Sequence, residues 1–238
     1  MDENIFERYE LKYGMNREQY RALRKYMEDK IHPDVFPEGV VCSLYLDTDS
    51  FEVIRNSLEA LNYKEKFRLR SYGSAKDDGM VFLEMKKKID GIVYKRRIAI
   101  TYQQAMEYFR TRKMPNQTQI MKEIDYSQDY YGGLKPKVLV IYDRLAFVDN
   151  EDADIRITFD TNIRYRIADL DMRKETEGER LLTDDHIMLE IKSPGYIPLW
   201  LAQILDELNI RREKFSKYGK IYETRKGELG NGLTVYRN

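Results

Sequence analysis

This sequence offers almost no cysteine or histidine. Cys42 is the only cysteine in 238 residues. A single thiol excludes an intramolecular disulfide and a cysteine-built zinc site, and it fits a reducing cytoplasm. His32 and His186 are the only histidines, and neither lies in a metal-binding or triad-like pattern. Ser-His-Asp and Cys-His mechanisms are thereby disfavoured. Neither GxxxxGK[ST] nor GxGxxG occurs, so a bound nucleotide would have its phosphates held by side chains. No signal peptide and no apolar run long enough to span a membrane are found, and the expected location is cytoplasmic. Net charge is absent too: 41 basic residues balance 41 acidic ones. Global electrostatics therefore do not point to nucleic acid, and any anion site must come from local clustering. Chemistry in such a chain falls to carboxylates, Lys, Arg and a bound metal.

What is present is alternation. In KEKFRLRSYG (64–73), Lys64, Lys66, Arg68 and Arg70 share one face, and Glu65, Phe67, Leu69 and Ser71 the other. A side-chain period of two marks a strand. Strands are also expected at 7–15, 40–48, 80–89, 92–101, 137–148, 153–161 and 187–193. Asp90-Gly91 signals a hairpin between two of them. Asn16 with Gln19 starts an amphipathic helix expected over 16–31, and Thr101 with Gln104 starts another. A helix follows residue 50, and Pro198 opens one carrying Leu201, Leu205 and Leu208 on one face. Residues 113–136 look irregular, and 165–186 look like a mobile charged loop. No domain boundary stands out, so residues 1–238 are read as a single domain. About eight strands with few helices between them predict an α+β fold: a closed eight-stranded antiparallel β-barrel with helices packed outside.

The polar faces carry an unusual amount of Arg and Lys. Glu84, Lys86 and Lys88 share a face, as do Glu10 and Lys12, and Glu190 and Lys192. Arg156 alternates with Ile155 and Ile157, Lys95 and Arg97 alternate in YKRR, and Arg144 interrupts an apolar strand. One such face is ordinarily a solvated sheet surface. Wet faces, however, mix Thr, Ser, Gln, Glu and Lys, whereas here strand after strand offers cations with single glutamates. The alternative is a barrel turned inside out, with charged faces lining a tunnel. Such cations need glutamate, water or a polyanion to balance them, and a phosphate chain suits Arg forks and Lys point charges.

The segments ERYELKY, LYLDT, FRLRSYG, FLEMKKK with YKRR, YDRLAF, IRITFDTNIRYR, LEIKSPGYIPLWL and KFSKYGKIY run in order from residue 7 to residue 222. As a set they resemble the VTC domain, the polyphosphate-polymerase module of the vacuolar transporter chaperone family. That family belongs to the triphosphate tunnel metalloenzymes. The resemblance implies an eight-stranded tunnel that makes inorganic polyphosphate from ATP with Mn²⁺ or Mg²⁺. It carries over Lys12, Arg68 and Arg70, Lys86 with Glu84, Lys95 and Arg97, Arg144, Arg156, Lys192, Lys214 and Lys217 as phosphate-handling residues. Arg96 competes with Lys95 and Arg97 for the tunnel-facing place. Glu190 is the implied metal ligand. Glu84 is either a second ligand or a counter-ion for Arg68 or Lys86, and Glu10 fits either job.

Other readings stay open. Lys214 and Lys217 fit an exposed helix face. Lys64 and Lys66 fit the rim or solvent. Tyr45 and Asp47 fit packing and capping. The partners implied are ATP and polyphosphate, without nucleic acid, and with any membrane partner a separate protein. The same tunnel would also serve a tripolyphosphatase or nucleoside triphosphatase, or a non-catalytic binding module.

Overall fold

The computed structural model describes residues 9–90 and 92–231. In chain order the elements are β1 (Tyr9–Met15), α1 (Arg17–Tyr26), β2 (Ile31–Asp47), α2 (Glu52–Glu59), β3 (Tyr63–Tyr72), β4 (Met80–Ile89), β5 (Ile92–Thr101), α3 (Tyr102–Thr111), α4 (Gln119–Tyr130), β6 (Lys135–Asp149), β7 (Arg156–Arg166), β8 (Glu179–Arg180), β9 (Ile187–Ser193), α5 (Leu199–Glu207) and α6 (Lys217–Asn231). The expected strand start at residue 7 and the turn residue Gly91 lie outside the described residues. Ile89 pairs Ile92, as the expected hairpin requires, and Asp90 takes φ +48°.

Local signals act as expected at two helix starts. Asn16 and Gln19 form a capping box on α1, and Thr101 and Gln104 form one on α3. Three expectations are corrected. The first helix stops at Tyr26, because Ile31 leaves it to pair with Asp149 and Pro33 follows. The stretch 113–136 contains α4, capped by Thr118. Its buried stripe mixes Met121 and Ile124 with Ser127 and Gln128, which hides the apolar period. The region 165–186 is anchored rather than loose: Met172 is buried and its carbonyl accepts from the Ala75 N–H, and β8 pairs β7.

The antiparallel strands run in the order β1-β9-β7-β6-β2-β3-β4-β5, with β8 off this path on β7. Two apolar layers cover the outer face. One sets Phe67, Leu69, Leu83 and Met85 against α3 and α4; the other sets Ile157, Phe159, Leu189 and Ile191 against α1 and α5. On the inner face, a third cluster fills one end. It joins Tyr45, Val138, Val140, Tyr142, Ile163 and Tyr165 to Tyr218 and Ile221 of α6.

The expectation of a closed barrel is met only as a sheet that curls back on itself. Among the described residues no hydrogen-bonded ladder joins β1 to β5. The outer edge of β1 is instead taken by the segment after α5: Tyr13 bridges Arg212, and the Glu213 N–H donates to the Lys12 carbonyl at 2.8 Å. Side chains span the seam, with Lys86 of β4 donating to Glu10 of β1 at 2.5 Å.

Candidate functional site: a cationic inner face

Register, not sequence proximity, assembles the inner face. Lys12 lies opposite Glu190 and Glu10 opposite Lys192. Arg68 lies opposite Glu84, which lies opposite Arg97; Lys66 and Lys95 both flank Lys86. Arg144 lies opposite Asp160. These are cross-strand pairs on one face, the arrangement in which side chains interact.

Two carboxylates are fully committed to cations. Glu84 is 1% exposed; its Oε2 accepts from Arg68 Nε at 2.7 Å, and Lys95 Nζ approaches its Oε1 at 2.6 Å. Burial pushes Glu84 up, but Arg68, Arg70 and Lys95 outweigh it and hold the carboxyl well below its ordinary range. Asp160, also 1% exposed, takes the Arg144 fork at 2.6 and 2.8 Å and Lys217 at 2.6 Å. Here too the cations overcome burial, bringing Asp160 down to about 2.

Glu190 and Glu10 are different. They are diagonal neighbours across β1 and β9; burial and the Glu190 charge oppose ionisation of Glu10, and Lys86 and Lys192 outweigh them. Glu190 meets Lys192 at 3.0 Å and Lys12 at 4.0 Å. Burial raises its pKa, while Lys192, Lys12, Arg144 and Lys86 more than reverse that and keep it ionised. Two adjacent ionised carboxylates in a wall of cations fit a divalent ion, which commonly takes one or two carboxylates and completes its shell with phosphate oxygens. Of the two roles open to Glu84, its contacts with Arg68 and Lys95 are those of a counter-ion. Among the described residues, no cluster of three or more acidic, histidine or cysteine side chains forms a metal cage.

Among the described residues, Arg70 and Lys66 have no carboxylate within hydrogen-bond reach. Arg70, 7% exposed, hydrogen-bonds only hydroxyls, Ser43 and Tyr142 at 3.3 Å each, with Glu84 Oε2 farther off at 3.8 Å. Lys66 donates to the Ser216 hydroxyl at 2.7 Å. Burial lowers Lys66 to about 8, helped by Lys12, Lys86 and Arg68 and opposed by Tyr45. Burial raises the Tyr45 phenol, but Arg68, Lys66 and Arg70 win and bring it down to about 7. Among the described residues, ten cations (Lys12, Lys66, Arg68, Arg70, Lys86, Lys95, Arg97, Arg144, Lys192, Lys217) gather around four carboxylates in the middle of this face. The face is strongly positive inside a chain of zero net charge.

Most expected site residues therefore meet here, and the placement of the others is plain. Arg96 points outward to Glu123 of α4 at 3.1 Å, which leaves Lys95 and Arg97 as the inner pair. Arg156 sits at the end of its strand, 46% exposed, 3.5 Å from Asp34. Lys214 is exposed and precedes α6, while Lys217 turns in to Asp160. Lys66, expected at the rim, lies inside. Tyr45, expected only to pack, also meets Arg68 at 3.4 Å. Asp47 does cap, accepting from the N–H groups of Val53 and Ile54. Ser43, Tyr142, Asp160 and Ser216 were not expected. Asp160 shares the Arg156 face at period two and was legible there; the hydroxyl residues carried no charge signal.

The family model for the VTC domain matches residues 7–225. The chain belongs to the VTC-domain family. No curated protein matches it. Two solved structures share the fold of this VTC domain. One is a putative adenylate cyclase from Bacillus halodurans, 12% identical, TM-score 0.53, aligned over 88% of this chain and 95% of that one. The other is a putative adenylyl cyclase from Hippeastrum described as having a dominant triphosphatase activity; it is 11% identical, TM-score 0.51, aligned over 91% and 95%. In this VTC domain, Arg68, Arg70, Glu84, Lys86 and Arg144 thus occupy one face of the curled sheet.

Proposed function

We propose that this VTC domain, a single tunnel unit over the chain, is a polyphosphate polymerase. It transfers the γ-phosphate of ATP to the terminal phosphate of a growing polyphosphate chain. The observation that carries this reading is the excess of cations over carboxylates on one curved face. Among the described residues Lys66 has only a hydroxyl partner, and Arg70 bonds two hydroxyls while its nearest carboxylate oxygen, 3.8 Å away, is already held by Arg68; desolvated cations short of counter-charge are costly unless an anion arrives. Membership in the VTC family and the shared tunnel fold support the phosphate assignment.

Catalysis in this reading is positioning and charge neutralisation. Arg68, Arg70, Arg144, Lys86 and Lys66 hold the phosphate oxygens in line, and their fixed charges meet the charge that develops on the transferring group. The attacking group is a phosphate oxygen already ionised at neutral pH, so no histidine or serine is required. Glu190, with Glu10 beside it, would hold Mn²⁺ or Mg²⁺, which supplies Lewis-acid neutralisation of phosphate oxygens. A cytoplasmic site would supply the ATP, and no described helix is long and apolar enough to cross a membrane.

The test is product analysis after incubation with ATP and Mn²⁺. Long-chain polyphosphate supports the polymerase. Orthophosphate alone would move the assignment to a hydrolase, and no turnover would move it to a binding module. Glu190→Gln should abolish metal-dependent turnover in a protein that stays folded by circular dichroism; full activity in that variant removes Glu190 from the site.

A further inference from the structure

The inner face does not end in charge. After Arg68 and Arg70, the alternation of β3 places Tyr72 inward next. Phe82 stands opposite Arg70, and Arg97 opposite Glu84. The Tyr72 and Phe82 rings meet edge to face, centroids 6.1 Å apart at 75°. The Arg97 guanidinium lies 4.8 Å over the Phe82 ring. Tyr72 is 60% exposed, whereas Leu69 and Leu83 on the outer faces of the same strands are completely buried. An isolated exposed tyrosine needs no explanation. Two touching rings and a guanidinium on a wall otherwise built of phosphate-binding cations do.

Their position decides what they suit. Tyr72 is one inward step beyond Arg70, about 7 Å along the strand. The opposite end is filled. Tyr218 of α6 donates to Asp47 at 2.8 Å and stacks on Tyr45 at 4.7 Å, and Ser216 meets Lys66 at 2.7 Å. Register sets Tyr72 against Val41, six residues from Asp47, roughly 20 Å from the α6 seat. A nucleoside triphosphate clamped at Arg68 and Arg70 cannot project its nucleoside into the α6 end. It projects past Arg70, over Tyr72 and Phe82.

We propose that Tyr72 and Phe82, braced by Arg97, form a stacking shelf for the base of the nucleoside triphosphate. This inference rests on the nucleotide reading of the tunnel given above. The shelf gives the site a way to tell donor from polymer: a nucleotide gains a stacking contact that a bare phosphate chain does not have. Stacking is tolerant of base identity, because every base offers a π-face. The shelf therefore selects nucleotides as a class.

The experiment is calorimetric titration of ATP and of inorganic tripolyphosphate into wild type, Tyr72→Ala and Tyr72→Phe in one Mg²⁺ buffer. Tyr72→Ala should weaken ATP on the order of tenfold and leave tripolyphosphate unchanged. Tyr72→Phe keeps the ring and should retain both affinities. Phe82→Leu should repeat the ATP-selective loss. Equal loss of both ligands, or no loss of ATP, overturns the shelf while the phosphate clamp stands. A wild type that binds neither ligand overturns the shelf together with the tunnel reading. Tyr72 is exposed, so a folding failure is not expected; a melting curve of each variant checks this.

Discussion

Arg70 is 3.8 Å from its nearest carboxylate oxygen, Glu84 Oε2, and Arg68 already holds that oxygen at 2.7 Å. Its own bonds go to two hydroxyls. Removing it should leave no orphaned carboxylate and a largely intact fold. Arg70→Ala should cost on the order of 10²-fold or more in kcat/KM, read by phosphate transfer, with little change in melting temperature. Arg70→Lys should recover only part of it, because an ammonium lacks the fork. Wild-type activity in Arg70→Ala would remove Arg70 from the clamp. Lys66, Lys95 and Tyr45 set the pH dependence; burial lowers Lys95 too, to about 8, against the pull of Glu84. Free Lys66 loses its proton near 8 and free Tyr45 near 7. A phosphate chain favours the ammonium and the neutral phenol, so all three pKa values rise on binding. Affinity for tripolyphosphate is then full below about pH 7 and falls as pH rises through 8. Titrations at several pH values check this, and Lys66→Met should partly flatten the upper part of the profile. At this scale the sequence was readable where charge alternates, as in Arg68, Arg70 and Glu84. It was not readable where a hydroxyl does the work, as at Ser43, Tyr142 and Ser216. Nor did it reveal that Lys66 lies deeper than the strand end suggests, because its partner Ser216, just before α6, comes from a distant part of the chain.

At the scale of elements, Asp47 ties two helices to the sheet. It accepts from the Thr48, Val53 and Ile54 N–H groups at 2.8, 2.9 and 3.0 Å and from the Tyr218 hydroxyl at 2.8 Å. Burial raises its pKa, opposed first by Tyr218 and then by the N–H groups. Asp47→Ala leaves helix-terminal donors buried without partners. It should cost about 2 kcal/mol or more, measured by urea unfolding, and should loosen the seat of α6. A loss no greater than that of an ordinary surface substitution contradicts that role. Helix starts such as Asn16 and Thr101 were legible because caps are local. The helix α4 was not, because its buried stripe includes Ser127 and Gln128. The seam between β1 and β5 was also hidden: whether a curled sheet closes depends on what occupies the β1 edge, and Arg212–Glu213 arrive there from 200 residues away.

For the whole molecule, neutrality and a strongly positive interior coexist because the remaining acidic side chains lie elsewhere on the chain. The inner face is held short of counter-charge, and a polyanion supplies it. Tripolyphosphate should therefore bind the folded protein and not the unfolded chain. At a concentration about 100 times its Kd it should add about 2.7 kcal/mol of stability. For a chain of this size that is a rise in Tm of roughly 5–10 °C, and the rise should shrink as salt is added. Melting curves with and without tripolyphosphate test the central claim, that this face is a phosphate clamp. A salt-sensitive rise of that size, lost in Arg70→Ala, is the predicted result. An unchanged Tm at millimolar tripolyphosphate and low salt would contradict it.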